Sequence, residues 1–320
     1  MKRWISFLLP LIGLALFVVV VASAGPKRIL EVFRSADPVR LALTPVIIVA
    51  IILVRGIRWR YLIRLAGIEY PLRRAITVWV IGFFASSVTP AKAGDAIRAF
   101  YLKNETDRSF GEAFVTVFVD RLWDLMFVLV SGMITVLIFS RLYMEIPSIW
   151  VVLAGAGAII AIIYMMTNRE LVQKILKPIF NALTPERFKQ MFSLNFHTFY
   201  DSLASFERNW KQMLIVLLLT LTCWGLIFFL AYYVCLTFAI DVPFVYMMLI
   251  MPIVTFVELV PISISGLGTR DATVVYFFSL IGIASAEAVG FSIGYLLMGT
   301  YLTSLVGFLF WLKNPVKLGE

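Results

Sequence analysis

Histidine occurs once in these 320 residues and cysteine twice, and only 15% of the chain is charged. Cys223 and Cys235 lie in one apolar run, where thiols serve as small packing residues, so they predict neither a disulfide framework nor a metal site. His197, the single histidine, sits in a polar amphipathic segment, where a solvated imidazole is the ordinary outcome. No His-Glu metal pair, no nucleophile with a base at useful spacing and no acidic cluster for a metal-bound nucleotide sugar is present, so cofactor and metal chemistry find no ligands. No P-loop pattern offers ATP-driven work. A polar surface is missing too. With 61% hydrophobic residues and a mean hydropathy of +0.94, the composition excludes a sizeable water-soluble domain.

What is present is a series of apolar stretches of about 18 residues or more, the length that crosses ~30 Å of hydrocarbon at ~1.5 Å per residue. They predict full spans at Trp4–Ala22, Leu41–Trp59, Ala113–Phe139, Ile149–Met166, Met213–Ala239 and Ala288–Leu312. The first ends in "ASAG", a possible signal cleavage site, but its apolar run exceeds the ~7–15 residues of a signal core, so an uncleaved span is expected. Two apolar regions resist this treatment: Ala75–Leu102, which holds "SSVTPAKAGDAIR", and Phe244–Ile283, which holds "ELVPISISGLGTRD".

Basic residues suggest how these regions run. Arg55, Arg58, Arg60, Arg64, Arg73 and Arg74 crowd one loop, and Arg169, Lys174, Lys177, Arg187, Lys189, Arg208 and Lys211 another; short cytoplasmic loops carry such an excess. Both clusters face the cytoplasm, with Lys2, Arg3, Lys313 and Lys317, if 75–102 dips into the membrane and returns to the same side. By the same count 244–283 enters from the outer side. The expectation is an all-α, polytopic membrane helical bundle over residues 1–320, with about six full spans and two re-entrant helical hairpins in an inverted repeat. It places both termini in the cytoplasm of a multi-pass cell-membrane protein. As sequence, "VTPAKAGDAIR" and "LVPISISGLGTRD" are only weakly alike. Residues 184–211 form an amphipathic helix, opened by Thr184, Pro185 and Glu186 and striped by Phe188, Phe192, Phe199, Leu203, Phe206 and Trp210. Such a helix suits the cytoplasmic lipid surface, a lid on the bundle, or packing on its own loops.

Charges at the bilayer centre cost roughly 2.5–3.5 kcal/mol each on insertion scales, so those that occur there are paired, wet or functional. "VDRLWDLM" puts Asp120 and Asp124 on one helical face with Arg121 in reach of Asp124, either as a buried packing network or as the lining of a polar cavity. Glu258 is a lone acid that could partner Arg121 or Arg270. In the first hairpin Thr89 and Pro90 suit the cap and first turn of a helix starting deep in the membrane, and Lys92 adds a charge to its positive end. Gly94, Asp95 and Arg98 follow on the way back. In the second, Pro261, Ser265, Gly266 and Gly268 allow close backbone approach, Thr269 suits a cap, and Arg270 and Asp271 supply charge. Together they outline a phosphate site for a lipid head group, although the same glycines and prolines also satisfy tight turns with no ligand. Gly290 and Gly294 read as a helix-packing face.

Three motifs in this order, "TPAKAGDAIR", "DRLWD" and "PISISGLGTRD", resemble the transmembrane, flippase-like region of lysylphosphatidylglycerol synthases and its stand-alone relatives over nearly the whole chain. Asp95 and Asp271 stand where that family usually has Glu, and Ser265 where it has Gly. The resemblance implies a translocase-like module that moves a phosphate-bearing lipid between leaflets, without the lysyl-transfer domain and so not an enzyme. It also implies anionic membrane lipids as ligands and a lipid synthase or a glycosyltransferase acting on polyprenyl-linked sugars as partner, with no nucleic acid involved. An integral-membrane lipid or glycosyl transferase and a non-transporting glycosyltransferase subunit are the alternatives.

Overall fold

The computed structural model describes residues 14–142, 153, 155, 157, 210–259 and 266–315, and the regular structure in these is helical throughout. The remainder of the span at 149–166, the amphipathic segment up to residue 209 with His197, and Pro261 and Ser265 lie outside the described residues. Ten helices can be named: α1 Leu14–Ala24, α2 Pro26–Arg34, α3 Pro38–Leu65, α4 Leu72–Ser87, α5 Ile97–Glu105, α6 Phe110–Leu142, α7 Trp210–Thr237, α8 Phe244–Leu259, α9 Thr269–Ser279 and α10 Ser285–Lys313, which carries a π-helical turn at Leu296–Tyr301. A 3-10 turn, Pro90–Ala96, leads into α5.

Among the described residues α3, α6, α7 and α10 are long and apolar enough to cross a membrane, and α1 and α8 are shorter apolar helices. The protein is therefore an all-α, multi-pass integral membrane protein. Its spans run longer than hydropathy suggests, because helices continue into the polar boundary where carbonyls would otherwise lose partners. This changes the reading of the first basic cluster. Arg55, Arg58, Arg60 and Arg64 belong to α3 and Arg73 and Arg74 open α4, so the connection itself is only 66–71. Arg55 and Arg58 are buried. Arg55 lies over the Trp224 ring at 5.2 Å, and Arg58 meets carboxylates described below, so neither counts as loop charge.

The described residues fall in two compact units. The first draws on residues up to Gly56, on Ile76–Asp95 and on Leu221 onward; the second on Ile57–Ala75 and Ala96–Thr220. In the first, Ala24, Ile29, Ala286 and Val289 form a core where α2 packs on α10. Gly290 and Gly294 are the packing face their spacing implies: a Cβ on them would meet Val32 at 2.7 Å and Phe238 at 2.2 Å. Ser87 and Ser304 share a 2.9 Å hydrogen bond where Gly307 lies against the Val80 carbonyl. In the second unit Leu62, Val115, Val119 and Val216 form the core, with Phe114, Phe118 and Trp123 packed on it.

The helices recur in register. Pro38 and Trp210, Leu72 and Phe244, and Ile97 and Thr269, which open α3 and α7, α4 and α8, and α5 and α9, are each 172 residues apart. The first two pairs match in length, at 28 and 16 residues. Each short pair is also fastened at its base. Arg74, third residue of α4, donates from Nε to Glu105 at the end of α5 at 2.7 Å. Tyr246, third residue of α8, donates its hydroxyl to the Phe277 carbonyl near the end of α9 at 2.5 Å. Glu105 and Phe277 are again 172 apart.

Candidate functional site

The first turn belongs to the first unit up to Asp95. Thr89 does cap, but not the helix expected: its hydroxyl donates to the Ala85 carbonyl at 2.8 Å and accepts from the Gly94 N–H at 2.7 Å, tying the end of α4 to the 3-10 turn. The regular helix starts only at Ile97, because the seven residues from Pro90 wind in the tighter 3-10 form. Gly94 is obligatory there, since a Cβ would lie 2.2 Å from the Ala85 carbonyl oxygen. Lys92 is exposed and adopts a positive φ of 56°, uncommon for a residue with a side chain. Asp95 is buried.

The second turn lies wholly in the first unit. Gly266 and Gly268 take φ of +76° and +84°, conformations that favour glycine. Gly268, not Thr269, is the cap residue of α9, and its N–H donates to Asp271 Oδ2 at 2.7 Å. A residue without Cβ tolerates the left-handed entry that Thr269 could not adopt cheaply. Arg270 is buried: Nε donates to the Ser292 hydroxyl at 2.8 Å, and its terminal nitrogens meet Glu258 at 3.2 Å and Asp271 at 3.3 Å. Of the two partners considered for Glu258, Arg270 is the one it meets.

Arg98, Arg121 and Asp124 fall in the second unit. Arg98 donates to Asp120 Oδ2 at 2.9 Å and stands 5.0 Å over the Trp59 ring. Asp120 Oδ1 accepts from Arg58 Nε at 2.8 Å, and a second Arg58 nitrogen reaches Asp124 at 2.9 Å and Thr220 at 3.2 Å. Arg121 meets Asp124 at 3.5 Å, as its spacing implied, and is about a third exposed, at 32% of its side chain. Arg58 and Ser292 were missed from the sequence. The signal for Arg58 was the pair Asp120 and Asp124, two acids on one face that need a buried cation; Ser292 had none. Arg58, Arg98, Asp120 and Asp124 set two buried charges of each sign against one another, with the partly exposed Arg121 at their edge. At the base of α4 and α5, burial and then the hydrogen bond to Glu105 push the Tyr70 hydroxyl well above its usual range, so it remains a donor.

Residues 8–307 match the family model described as the Lysylphosphatidylglycerol synthase TM region. The chain belongs to this family. Among its relatives, a UPF0104 membrane protein of Pyrococcus horikoshii is 22% identical over 97% of both chains. One of Methanocaldococcus jannaschii is 27% identical over 95% of this chain and 93% of its own. The glycosyltransferase AglD of Haloferax volcanii is 31% identical over 38% of this chain and 19% of its own.

In this family member the two turns differ chemically despite their shared register. Gly94 and Gly266, Arg98 and Arg270, and Asp120 and Ser292 are each 172 residues apart, so both arginines reach a partner 22 positions on. One meets a carboxylate and the other a hydroxyl.

Proposed function

We propose that this protein is a lipid translocator, not itself an enzyme, which carries the phosphate of a lipid head group past the membrane midplane while the tails stay in lipid. The observation that carries the reading is the pair of clasped, broken helix pairs in a constant register, each bringing a buried arginine just behind a turn glycine. The clasps hold each segment's two ends together, which favours re-entrant hairpins over single crossings. A 16-residue arm is ~24 Å long against ~30 Å of hydrocarbon, so it reaches past the midplane and stops short of the far side. The register supports an internal repeat, and the loop charges favour its inversion, with hairpins entering from opposite faces and both termini in the cytoplasm. Thr89, Pro90, Lys92, Gly94, Asp95, Glu258, Gly266, Gly268, Arg270 and Asp271 would serve the phosphate path. The second-unit residues Arg98, Arg121 and Asp124 would hold the first hairpin's return in place.

The test is leaflet transfer by the purified protein in liposomes, with fluorescent phosphatidylglycerol and a fluorescent polyprenyl phosphate as cargo. Acceleration of either over protein-free liposomes is expected, and no acceleration of both would overturn the reading. The partial likeness to a protein named a glycosyltransferase favours a second reading, a membrane partner of such an enzyme. Co-purification with a glycosyltransferase and no transfer of its own would establish that instead.

A further inference from the structure

The two hairpins have exchanged the side from which their arginine is neutralised. Ser86 and Glu258 occupy one repeat position, in the last turn of α4 and of α8; Asp120 and Ser292 occupy another, on α6 and α10. Arg98 therefore meets its carboxylate on the following long helix, at Asp120, while the Ser86 hydroxyl bonds its own helix at Phe83. Arg270 meets serine there, and its carboxylates are Glu258, from the entering arm, and the buried Asp271 beside it on α9.

The two carboxylates are held differently. The Asp120 side chain is 1% exposed and bridges two arginines, whereas that of Glu258 is 19% exposed. Glu258 is also the penultimate residue of α8, where the helix dipole presents its negative end and disfavours an anion. Arg270 lies in the first turn of α9, where the dipole favours one. An anion that reached Arg270 from outside would gain the field that Glu258 opposes. Gly266 leaves the room: a Cβ there would meet Glu258 Cγ at 2.7 Å and Arg270 Cβ at 3.1 Å, so only a bare backbone lets the carboxylate and guanidinium meet at this point.

The geometry points to Arg270, and not Arg98, as the arginine that takes the lipid phosphate, with Glu258 as the resident carboxylate that the phosphate displaces and that returns to Arg270 when the lipid leaves. Arg98 is a positioning residue, fixed by Asp120, which Arg58 also holds. This rests on the translocation reading above and names the residue pair on which it turns. The shared ligand chemistry is a phosphate monoester or diester on a lipid.

The experiment titrates the full chain, purified in detergent micelles, with fluorescent phosphatidylglycerol in one arm and fluorescent farnesyl phosphate in the other, alongside leaflet transfer in liposomes. Removing the competing charge with Glu258→Gln should tighten binding of the preferred probe about tenfold and slow transfer, because release loses its replacement anion. Arg270→Lys should weaken binding about tenfold, since a point charge replaces the fork. Arg98→Lys, in monodisperse protein, should bind within about twofold of the unmodified chain with a lowered Tm. Weaker binding in Glu258→Gln overturns the inference, since the acid would then be holding Arg270 in place for the lipid. Equal loss in Arg98→Lys and Arg270→Lys overturns it as well. The Glu258→Gln result decides the matter even if Arg98→Lys does not fold. An unmodified chain that binds and moves neither lipid overturns the translocation reading and this inference together, whereas transfer with either of the first two outcomes overturns the inference alone.

Discussion

Asp120→Asn perturbs the point where the two arginines of the second unit meet. The carboxylate accepts from Arg58 at 2.7–2.8 Å and from Arg98 at 2.9 Å, with all three side chains essentially unexposed. An amide keeps the shape, but it carries no charge and turns an NH2 toward one guanidinium, so the shared carboxylate is lost while Arg58 keeps Asp124 and Thr220. Breaking a buried pair in this way costs about 3–5 kcal/mol. At about 2–4 °C per kcal/mol for a chain of a few hundred residues, the apparent Tm should fall by roughly 6–20 °C. The position 172 residues further on provides the control. Ser292→Ala removes one hydrogen bond to a guanidinium that also meets two carboxylates, a loss of about 1.5–3 kcal/mol. Tryptophan fluorescence during heating, in one detergent and at one salt concentration, reads both variants. Asp120→Asn should be the less stable, by about 2 kcal/mol at the centres of the two ranges. If Ser292→Ala unfolds at the same temperature or lower, the difference between a locked and an exchangeable arginine has no energetic basis. Removing one charge of each sign, in Arg58→Met with Asp124→Leu, should cost less than Arg58→Met alone, because Asp120 keeps Arg98 and no second buried carboxylate loses Arg58.

Glycine substitutions separate the two turns. Gly94→Ala drives a Cβ against backbone at Ala85 and should abolish monodisperse protein on size exclusion, whereas Gly266→Ala meets the flexible Glu258 side chain and should fold with a lowered Tm and altered lipid binding. Tyr246→Phe removes the second clasp and should cost about 1 kcal/mol by the same heating assay, leaving the buried Tyr246 ring in place. Cys223 and Cys235 are buried, so maleimide should label the folded protein in micelles far more slowly than the protein in denaturant. The Tyr70 hydroxyl is shifted upward on folding, so its neutral form is favoured in the folded state; its contribution is complete below about pH 10 and declines as pH rises beyond that. Tyr70→Phe should therefore lose less of its Tm between pH 9 and about pH 11 than the unmodified chain does.

Class and most spans were legible because hydropathy is additive: a run such as 213–239 is apolar whatever packs against it, and α7 follows it within a few residues. The family was legible from three short motifs. The pairing was legible only where it is local. Arg121 and Asp124 are one helical turn apart and meet as their spacing implies, and Glu258 and Arg270 are close enough along the chain to be considered together. Arg58 was not, since 62 residues separate it from Asp120 and its neighbours Arg55 and Arg60 made it look like one more loop charge. Helix continuation through Leu65 reverses that reading, for a cation inside a span is retained only with a partner. The register was hidden for a related reason. It preserves lengths, turn positions and the two arginines, while the surrounding side chains need only be apolar and diverge without penalty.

On the translocation reading, the exchange of carboxylate between the two helix pairs follows from electrostatics. A buried guanidinium needs an anion in either repeat, and two locks of the Asp120 type would leave no arginine to answer an incoming phosphate. Two exchangeable pairs would leave both hairpins poorly held whenever the lipid is absent. With Asp120 on a long helix and Glu258 on the entering arm, one arginine stabilises structure at all times, and the other has a partner whose own helix end disfavours it. On the translocation reading, the phosphate enters a site already charged and already neutralised, and opening one side of Arg270 needs only the partly exposed Glu258 to move, while the buried Asp271 stays in place. The exchange itself rests on two pairs of positions, Ser86 with Glu258 and Asp120 with Ser292, while Arg58 beside Asp120 and Asp271 beside Arg270 add further charge on each side. Exchanging either pair of residues should therefore close the site or destabilise the lock, while leaving the helices themselves unchanged.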